Sequence, residues 1–273
     1  MKTWLITGAS SGLGLGMVTK LLARGDAVFA TARRTHALSE LQRSHSDQLR
    51  VAALDVTDTA ALRQIVDQAF GQGTIDVVVS NAGYGLFGAA EEVSDAQIER
   101  QIATNLTASI QLIRAVLPPL RAQGGGRIMQ LSSEGGQTAY PAFSLYHATK
   151  WGIEGYVEAV AQEVAPFGIA FTLIEPGPTD TGFGAALDCA AELAVYDETP
   201  AGALRRALAD GSFELTGDAD RVVDAMIAAA DAEVAPRRVA LTSTAFVNIE
   251  RALSGRLDDL RAQRALAYSA DRS

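Results

Sequence analysis

The stretch Thr3-Trp4-Leu5-Ile6-Thr7-Gly8-Ala9-Ser10-Ser11-Gly12-Leu13-Gly14 decides the fold. Trp4 to Thr7 is a short apolar run that ends in a glycine-rich turn, and Met17 to Ala23 then has helical spacing and closes at Arg24-Gly25. A strand passing through glycines straight into a helix is the opening of a β-α unit. Glycine permits positive φ and leaves no side chain between the backbone N–H groups and a phosphate. The helix that follows presents the positive end of its dipole to the same point. Gly8, Ser10, Ser11, Gly12, Leu13 and Gly14 therefore form a candidate phosphate cradle; a merely structural strand-to-helix turn is the alternative.

Working outward, the alternation continues. Strand-like runs at Ala27–Ala32, Val51–Leu54, Ile75–Val79, Arg127–Leu131 and Ile169–Ile174 are separated by helical patterns at Ala61–Phe70, Asp95–Leu120 and Tyr146–Val164. Asp58 stands where an N-cap belongs. A helix near Asp218–Ala230, a strand near Val239–Thr242 and a last helix through Ala265 complete the chain. Strand and helix repeated in this way imply a doubly wound α/β fold: one Rossmann-type domain over residues 1–273, a parallel sheet of about seven strands, and helices on both faces. Ligands of such sheets bind beyond the carboxyl ends of the strands. Gly182 to about Gly217 breaks the rhythm after a strand end, as a substrate-loop or lid does, or a plain surface excursion.

Bulk properties narrow the classes. The 273 residues carry a formal charge of −9, which disfavours nucleic acid as a partner. The single cysteine, Cys189, excludes an internal disulfide and suits a reducing, cytoplasmic compartment. No apolar run approaches the ~20 residues that span a bilayer, and the fold begins too early to leave room for a signal peptide, so no membrane partner is expected. No metal-ligand spacing occurs.

The end of the second strand reads Thr31-Ala32-Arg33-Arg34. An acid near this point of a dinucleotide fold binds ribose hydroxyls, whereas arginine accommodates a 2′-phosphate. Arg33 and Arg34 therefore point to NADP(H) over NAD. Asp55, beside Val56 at the third strand end, is placed to accept from an adenine amino group or to cap its own turn. Tyr146 and Lys150 stand four apart and share a helical face. A nearby ammonium favours phenolate, and the expectation is a tyrosine pKa lowered toward the range of acid–base work. Ser133 closes the fifth strand thirteen residues earlier, Asn81-Ala82-Gly83 closes the fourth, and Asn105 lies inside a long helix.

These pieces, with Pro176-Gly177 and Thr181, resemble the short-chain dehydrogenase/reductase family in order and spacing from Thr7 to Thr181. The wording around Asn81-Ala82-Gly83-Tyr84-Gly85 and Tyr146-His147-Ala148-Thr149-Lys150-Trp151-Gly152 is most similar to the hydroxysteroid- and retinol-dehydrogenase-like branch. The resemblance implies a carbonyl reductase or alcohol dehydrogenase using NADP(H) and a small-molecule substrate. In that reading Tyr146 passes the proton, Lys150 lowers its pKa and holds the nicotinamide ribose, Ser133 bonds the substrate oxygen, and Asn105 positions a water. Asn81 supports the adenosine side, and Thr179 and Thr181 stand against the cofactor. Ser80 and Thr179 depart from common family usage. Tyr84, Tyr140, Phe143, Phe183 and Tyr196 are candidate substrate contacts, and the long helices are candidate faces of a homo-oligomer. A cofactor-binding redox sensor without turnover, and an epimerase or dehydratase on the same fold, are the competing readings.

Overall fold

The computed structural model describes residues 1–272. Seven parallel strands form its sheet: β1 (Thr3–Thr7), β2 (Ala27–Ala32), β3 (Leu49–Ala53), β4 (Val77–Ser80), β5 (Gly126–Leu131), β6 (Ile169–Pro176) and β7 (Arg238–Leu241). Their spatial order is β7-β6-β5-β4-β1-β2-β3, so the order reverses between β1 and β4. The helices are α1 (Gly12–Ala23), α2 (Ser39–Ser44), α3 (Thr59–Phe70), α4 (Asp95–Ile102), α5 (Ala108–Ala122), α6 (Ser144–Val164), α7 (Pro200–Ala209), α8 (Ala219–Asp231), α9 (Ser243–Ala262) and α10 (Arg264–Ser269).

Period-two alternation assigns the two faces. Trp4 and Ile6 of β1 turn to a core shared with Met17 and Leu21 of α1 and Val223 and Met226 of α8. Leu5, between them, turns to the opposite core with Leu62 of α3, Ile113 of α5 and Val157 of α6. Both faces of each central strand are buried, which is why these strands read as nearly unbroken apolar runs. Asp58 caps α3 as expected, accepting from the N–H groups of Ala60 and Ala61.

Three expectations are corrected. Asp95–Leu120 is not one regular helix: a π-helical turn, Ala103–Thr107, separates α4 from α5 and contains Asn105. The helix expected to close at Leu120 runs through Pro118-Pro119 to Ala122. Proline lacks a donor but fixes φ near the helical value, so α5 continues through the pair with two intrahelical donors missing. The C-terminal helix is two pieces and reaches Ser269. α2 is six residues with none buried, so no apolar pattern marks it in the sequence.

Beneath the strand ends lies a charged knot. Arg238 of β7 pairs with Glu154 of α6 and, at 2.6 Å, with Glu175 of β6; Gln137 donates to Glu175 at 2.7 Å. The Ser132 hydroxyl donates to Glu154. Burial first, and the charge of Glu154 second, raise the Glu175 carboxyl above its ordinary pKa; Arg238 opposes both. Removing the cation leaves two buried carboxylates facing one another. Arg238→Met should therefore lower unfolding free energy by roughly 3 kcal/mol at neutral pH. Because the folded-state pKa of Glu175 is raised, folding takes up a proton as pH falls, and the deficit should shrink in acid and widen in alkali. Urea unfolding of both proteins at two pH values checks this.

Candidate active site

The site is built where the strand order reverses. Gly8 and Gly12 adopt positive φ, +67° and +52°, and a Cβ on Gly14 would come within 2.4 Å of the Gly8 carbonyl oxygen. The turn is therefore one that side chains cannot enter. Asn81 Nδ2 donates to the carbonyls of Thr7 at 2.8 Å and Gly8 at 3.0 Å, while Thr7 Oγ1 accepts from the N–H groups of Asn81 and Ala82. The ends of β1 and β4 are thereby locked together. Ala9 N–H ties the turn to the Thr31 carbonyl of β2 at 2.9 Å.

Ser11, the N-cap of α1, makes no side-chain capping bond, and the first turn of α1 carries no acid. Its N–H groups and positive dipole end are left for an anion. Thr181 lies against the same turn, its Cβ 3.6 Å from the position a Cβ on Gly12 would take. Thr179 and Thr181 hydroxyls bond only backbone two residues away, and Pro176 and Gly177 are half-buried. Arg33 and Arg34 are exposed at the β2 end. Asp55 takes the second of its two alternatives: its Oδ1 accepts from the N–H and hydroxyl of Thr57 at 2.9 and 2.7 Å. Those bonds, with Arg33 a smaller contributor, hold its carboxyl below the ordinary value. Val56 packs on the α3–α5 core.

The structure brings Ser133, Tyr146 and Lys150 together. Ser133 ends β5 and caps a 3₁₀ turn over Glu134–Gly136, accepting from Gly135 N–H at 3.1 Å. Tyr146 sits in the first turn of α6, 9% exposed. Lys150 Nζ donates to the Leu131 carbonyl at 2.9 Å and lies 5.5 Å from the Tyr146 ring centroid. The tyrosine pKa corrects the expectation: burial pushes it up to about 12, with the Ser133 hydroxyl opposing and the Glu134 charge adding to the rise. Lys150 is pushed down to about 8 by burial, against the charge of Glu154 one turn on. Loss of water around the phenol outweighs the Ser133 hydrogen bond.

Asn105 is engaged with backbone. Its Oδ1 accepts from Tyr84 N–H at 3.1 Å and its Nδ2 donates to the Tyr84 carbonyl at 2.8 Å, so the side chain pins the loop after β4. A Cβ on Gly83 would meet it at 3.2 Å. His147 faces away from the chemistry: Nε2 accepts from Tyr140 N–H at 3.1 Å, so Nδ1 carries the proton to the Gly135 carbonyl at 2.8 Å.

An apolar wall surrounds the phenol. Phe183 lies 5.8 Å and Phe143 6.0 Å from the Tyr146 ring, and Phe87, Leu187 and Tyr196 belong to the same cluster. Tyr140 packs edge-on to Phe143 but turns its hydroxyl to Glu134 at 3.1 Å, and Tyr84 is held by Asn105. Sequence reasoning missed Phe87 and Leu187; only the pairing of Leu86–Phe87 with Asp188–Cys189 brings them in. It also missed the clamp on the 182–217 excursion. Glu92, buried, accepts from Arg205 at 2.6 and 2.8 Å and from the N–H groups of Ala89 and Leu193. Gln97 and Arg100 of α4 hold Asp188.

Comparison with known proteins shows the family and the fold. The short chain dehydrogenase family matches residues 2–190, and the chain belongs to it. It is 42% identical over 178 residues to oxidoreductase BOA17 of Botryotinia fuckeliana, covering 64% of this chain and 65% of that one. It is 38% identical over 180 residues to the 3-ketodihydrosphingosine reductase of Bacteroides thetaiotaomicron, covering 66% and 64%. The matched region thus spans just under two thirds of these relatives. A short-chain dehydrogenase structure from Streptomyces avermitilis superposes with a TM-score of 0.91 at 35% identity, covering 99% of this chain and all of that one. The chain accordingly has the single Rossmann-like domain of this family. Among the described residues no helix is long and apolar enough to cross a membrane, and no cluster of metal-ligating side chains occurs.

The lock between the two strand ends has a direct test. Asn81→Ala deprives two carbonyls of their donor and should lower unfolding free energy by roughly 1–3 kcal/mol. Denaturant unfolding should show a lower midpoint at unchanged slope.

Proposed function

We propose that this chain reduces a lipophilic ketone or aldehyde with NADPH, Tyr146 giving the proton. The observation that carries the reading is the buried Tyr146 phenol, kept protonated at neutral pH by an apolar wall while an ammonium waits beside it. A protonated tyrosine set against apolar side chains is suited to give a proton to a carbonyl oxygen. The glycine turn fits a dinucleotide: a Cβ would fill it, and the uncapped end of α1 faces it. Gly8 to Gly14 would hold its phosphates, Arg33 and Arg34 a 2′-phosphate, Asn81, Ala82 and Gly83 the adenosine side, and Lys150, Thr179 and Thr181 the nicotinamide end. When bound, the cofactor supplies the hydride.

The protein does the rest. As the carbonyl carbon is reduced, negative charge gathers on its oxygen. Ser133 donates a hydrogen bond to that oxygen, Tyr146 transfers its proton, and Lys150 stabilises the phenolate left behind. Phe87, Phe143, Phe183 and Leu187 exclude water and accept an apolar substrate. The 182–217 segment serves as the cover of this cavity, held down by Glu92–Arg205 and by Asp188. The hydroxysteroid- and retinol-dehydrogenase-like wording and the named ketodihydrosphingosine reductase relative support a lipophilic carbonyl compound.

Purified protein should oxidise NADPH in the presence of long-chain ketones or aldehydes. Binding of NADPH with no consumption across such a panel would return the sensor reading. Tyr146→Phe should lower turnover by roughly 10²–10⁴-fold with NADPH affinity unchanged. Lys150 loses its charge as pH rises through about 8, so kcat for reduction should be flat below that pH and fall above it. Arg33→Ala should weaken NADPH by roughly 10–100-fold and leave NADH unaffected; equal losses would remove the 2′-phosphate role.

A further inference from the structure

Beside the proposed proton chemistry lies a buried carboxylate to which that chemistry gives no task. Glu154 stands four residues after Lys150 on the same face of α6, its side chain 5% exposed. Its Oε1 accepts from the Ser132 hydroxyl and its Oε2 pairs with Arg238. Both oxygens therefore act as acceptors, the pattern of an ionised carboxylate. The Lys150 ammonium is fixed one residue away on the same strand end, donating to the Leu131 carbonyl at 2.9 Å. Adjacent residues, Leu131 and Ser132, thus hold the cation and the anion. The turn that follows Ser133 is shaped round the carboxylate: a Cβ on Gly136 would overlap Glu154 Oε1 and come within 2.7 Å of Ser132 Oγ. Only glycine leaves that seat open.

Given the role proposed above for the Lys150 ammonium, on which this rests, we propose that Glu154 is its buried counter-ion, a positioning residue whose negative charge keeps the amine protonated beside Tyr146. The groups that face Lys150 from the surrounding elements leave this part to Glu154. On α6 the other titratable neighbour is Tyr146, neutral at the outset. On the 3₁₀ turn, Glu134 spends its oxygens on Tyr140 and Asn248. The π-helical turn Ala103–Thr107 carries no charged residue. Arg100 of α4 and Arg114 of α5 turn to Asp188 and Gln111, and Asp95 and Glu99 of α4 are exposed. On β6, burial favours the neutral form of Glu175. Arg238 on β7 opposes Glu154 without cancelling it, because it also reaches Glu175 at 2.6 Å and Glu158 at 2.8 Å. Even with Glu175 protonated, two carboxylates stand against one guanidinium, and the cluster is net negative. Burial lowers the Lys150 pKa, and the charge of Glu154 opposes that fall. The competing account makes Glu154 only a tie between α6 and β7; neutralising it would then leave the lysine's titration untouched.

The chain has three lysines, Lys2, Lys20 and Lys150. Protein isotopically labelled at the lysine Cε carbons therefore gives three NMR signals, whose pH titrations are read without substrate or cofactor. Lys2 and Lys20, paired with Asp231 and Asp224, serve as internal references and are assigned by Lys2→Arg and Lys20→Arg. Glu154→Gln keeps the shape and a hydrogen-bonding partner for Ser132 but removes the charge. It should move the Lys150 titration down by roughly one pH unit or more, with the references unmoved. The alkaline fall of kcat should move down with it. Ser132→Ala loosens the tie and keeps the charge, so its Lys150 titration should stay close to wild type. Ser132→Ala/Glu154→Met removes both partners without orphaning a hydroxyl, and should repeat the downward shift even where the glutamine variant does not fold. An unmoved Lys150 titration in either Glu154 variant overturns the proposal. So does a shift in Ser132→Ala as large as that in Glu154→Gln. A shifted titration with an unmoved alkaline limb supports the counter-ion and contradicts instead the part given to Lys150 in turnover.

Discussion

Two hydrogen bonds from one amide, Asn81 Nδ2 to the carbonyls of Thr7 and Gly8, hold the strands between which the order of the sheet reverses. Helices leave the sheet in opposite directions on either side of that line, so a cleft opens there. The glycine turn can be so bare because something else fixes it: Asn81 from β4, and Ala9 bonded to the end of β2. A second amide, Asn105, extends the same logic outward, holding the loop beyond Asn81 by both the N–H and the carbonyl of Tyr84. The π-helical turn that carries it interrupts an otherwise continuous helix at the site. Irregular helical turns of this kind are frequent where function resides.

The electrostatics at Tyr146 and Lys150 follow first from burial. Tyr146 and Lys150 share a helical face, yet the phenol is driven up to about 12 and the amine down to about 8. Both shifts oppose charge in an apolar surrounding. In the proposed reaction the tyrosine would begin neutral and end charged, and the cation beside it would matter most at that point. Ser132 and Glu154 link this corner to Arg238 and Glu175, so the helix that carries Tyr146 and Lys150 is fastened to β6 and β7 beneath the site.

Much of this was legible in the sequence. The unbroken apolar runs required strands buried on both faces, and their alternation with helices required a parallel sheet. Spacing alone gave Tyr146 and Lys150 a shared helical face and put Ser133 at a strand end; their roles came from the family resemblance. What escaped was non-local. The direction of the tyrosine pKa shift depends on burial among side chains such as Phe143 and Phe183, which come from separate segments. The role of Asn105 depends on a backbone twenty-one residues away. Glu92 and Arg205, 113 residues apart, gave no pattern at all. Asp55 was open between two uses, and only geometry showed it bonded to its own turn.

The central claim is that a hydride and a tyrosine proton meet one carbonyl group in this cleft. Turnover of a long-chain ketone with NADPH deuterated at the transferable position of the nicotinamide tests it most directly. Mass spectrometry should find one deuterium on the carbinol carbon of the alcohol formed by the wild-type protein, and no such product with Tyr146→Phe. Alcohol without deuterium, or labelled alcohol formed equally by the phenylalanine variant, would contradict the account.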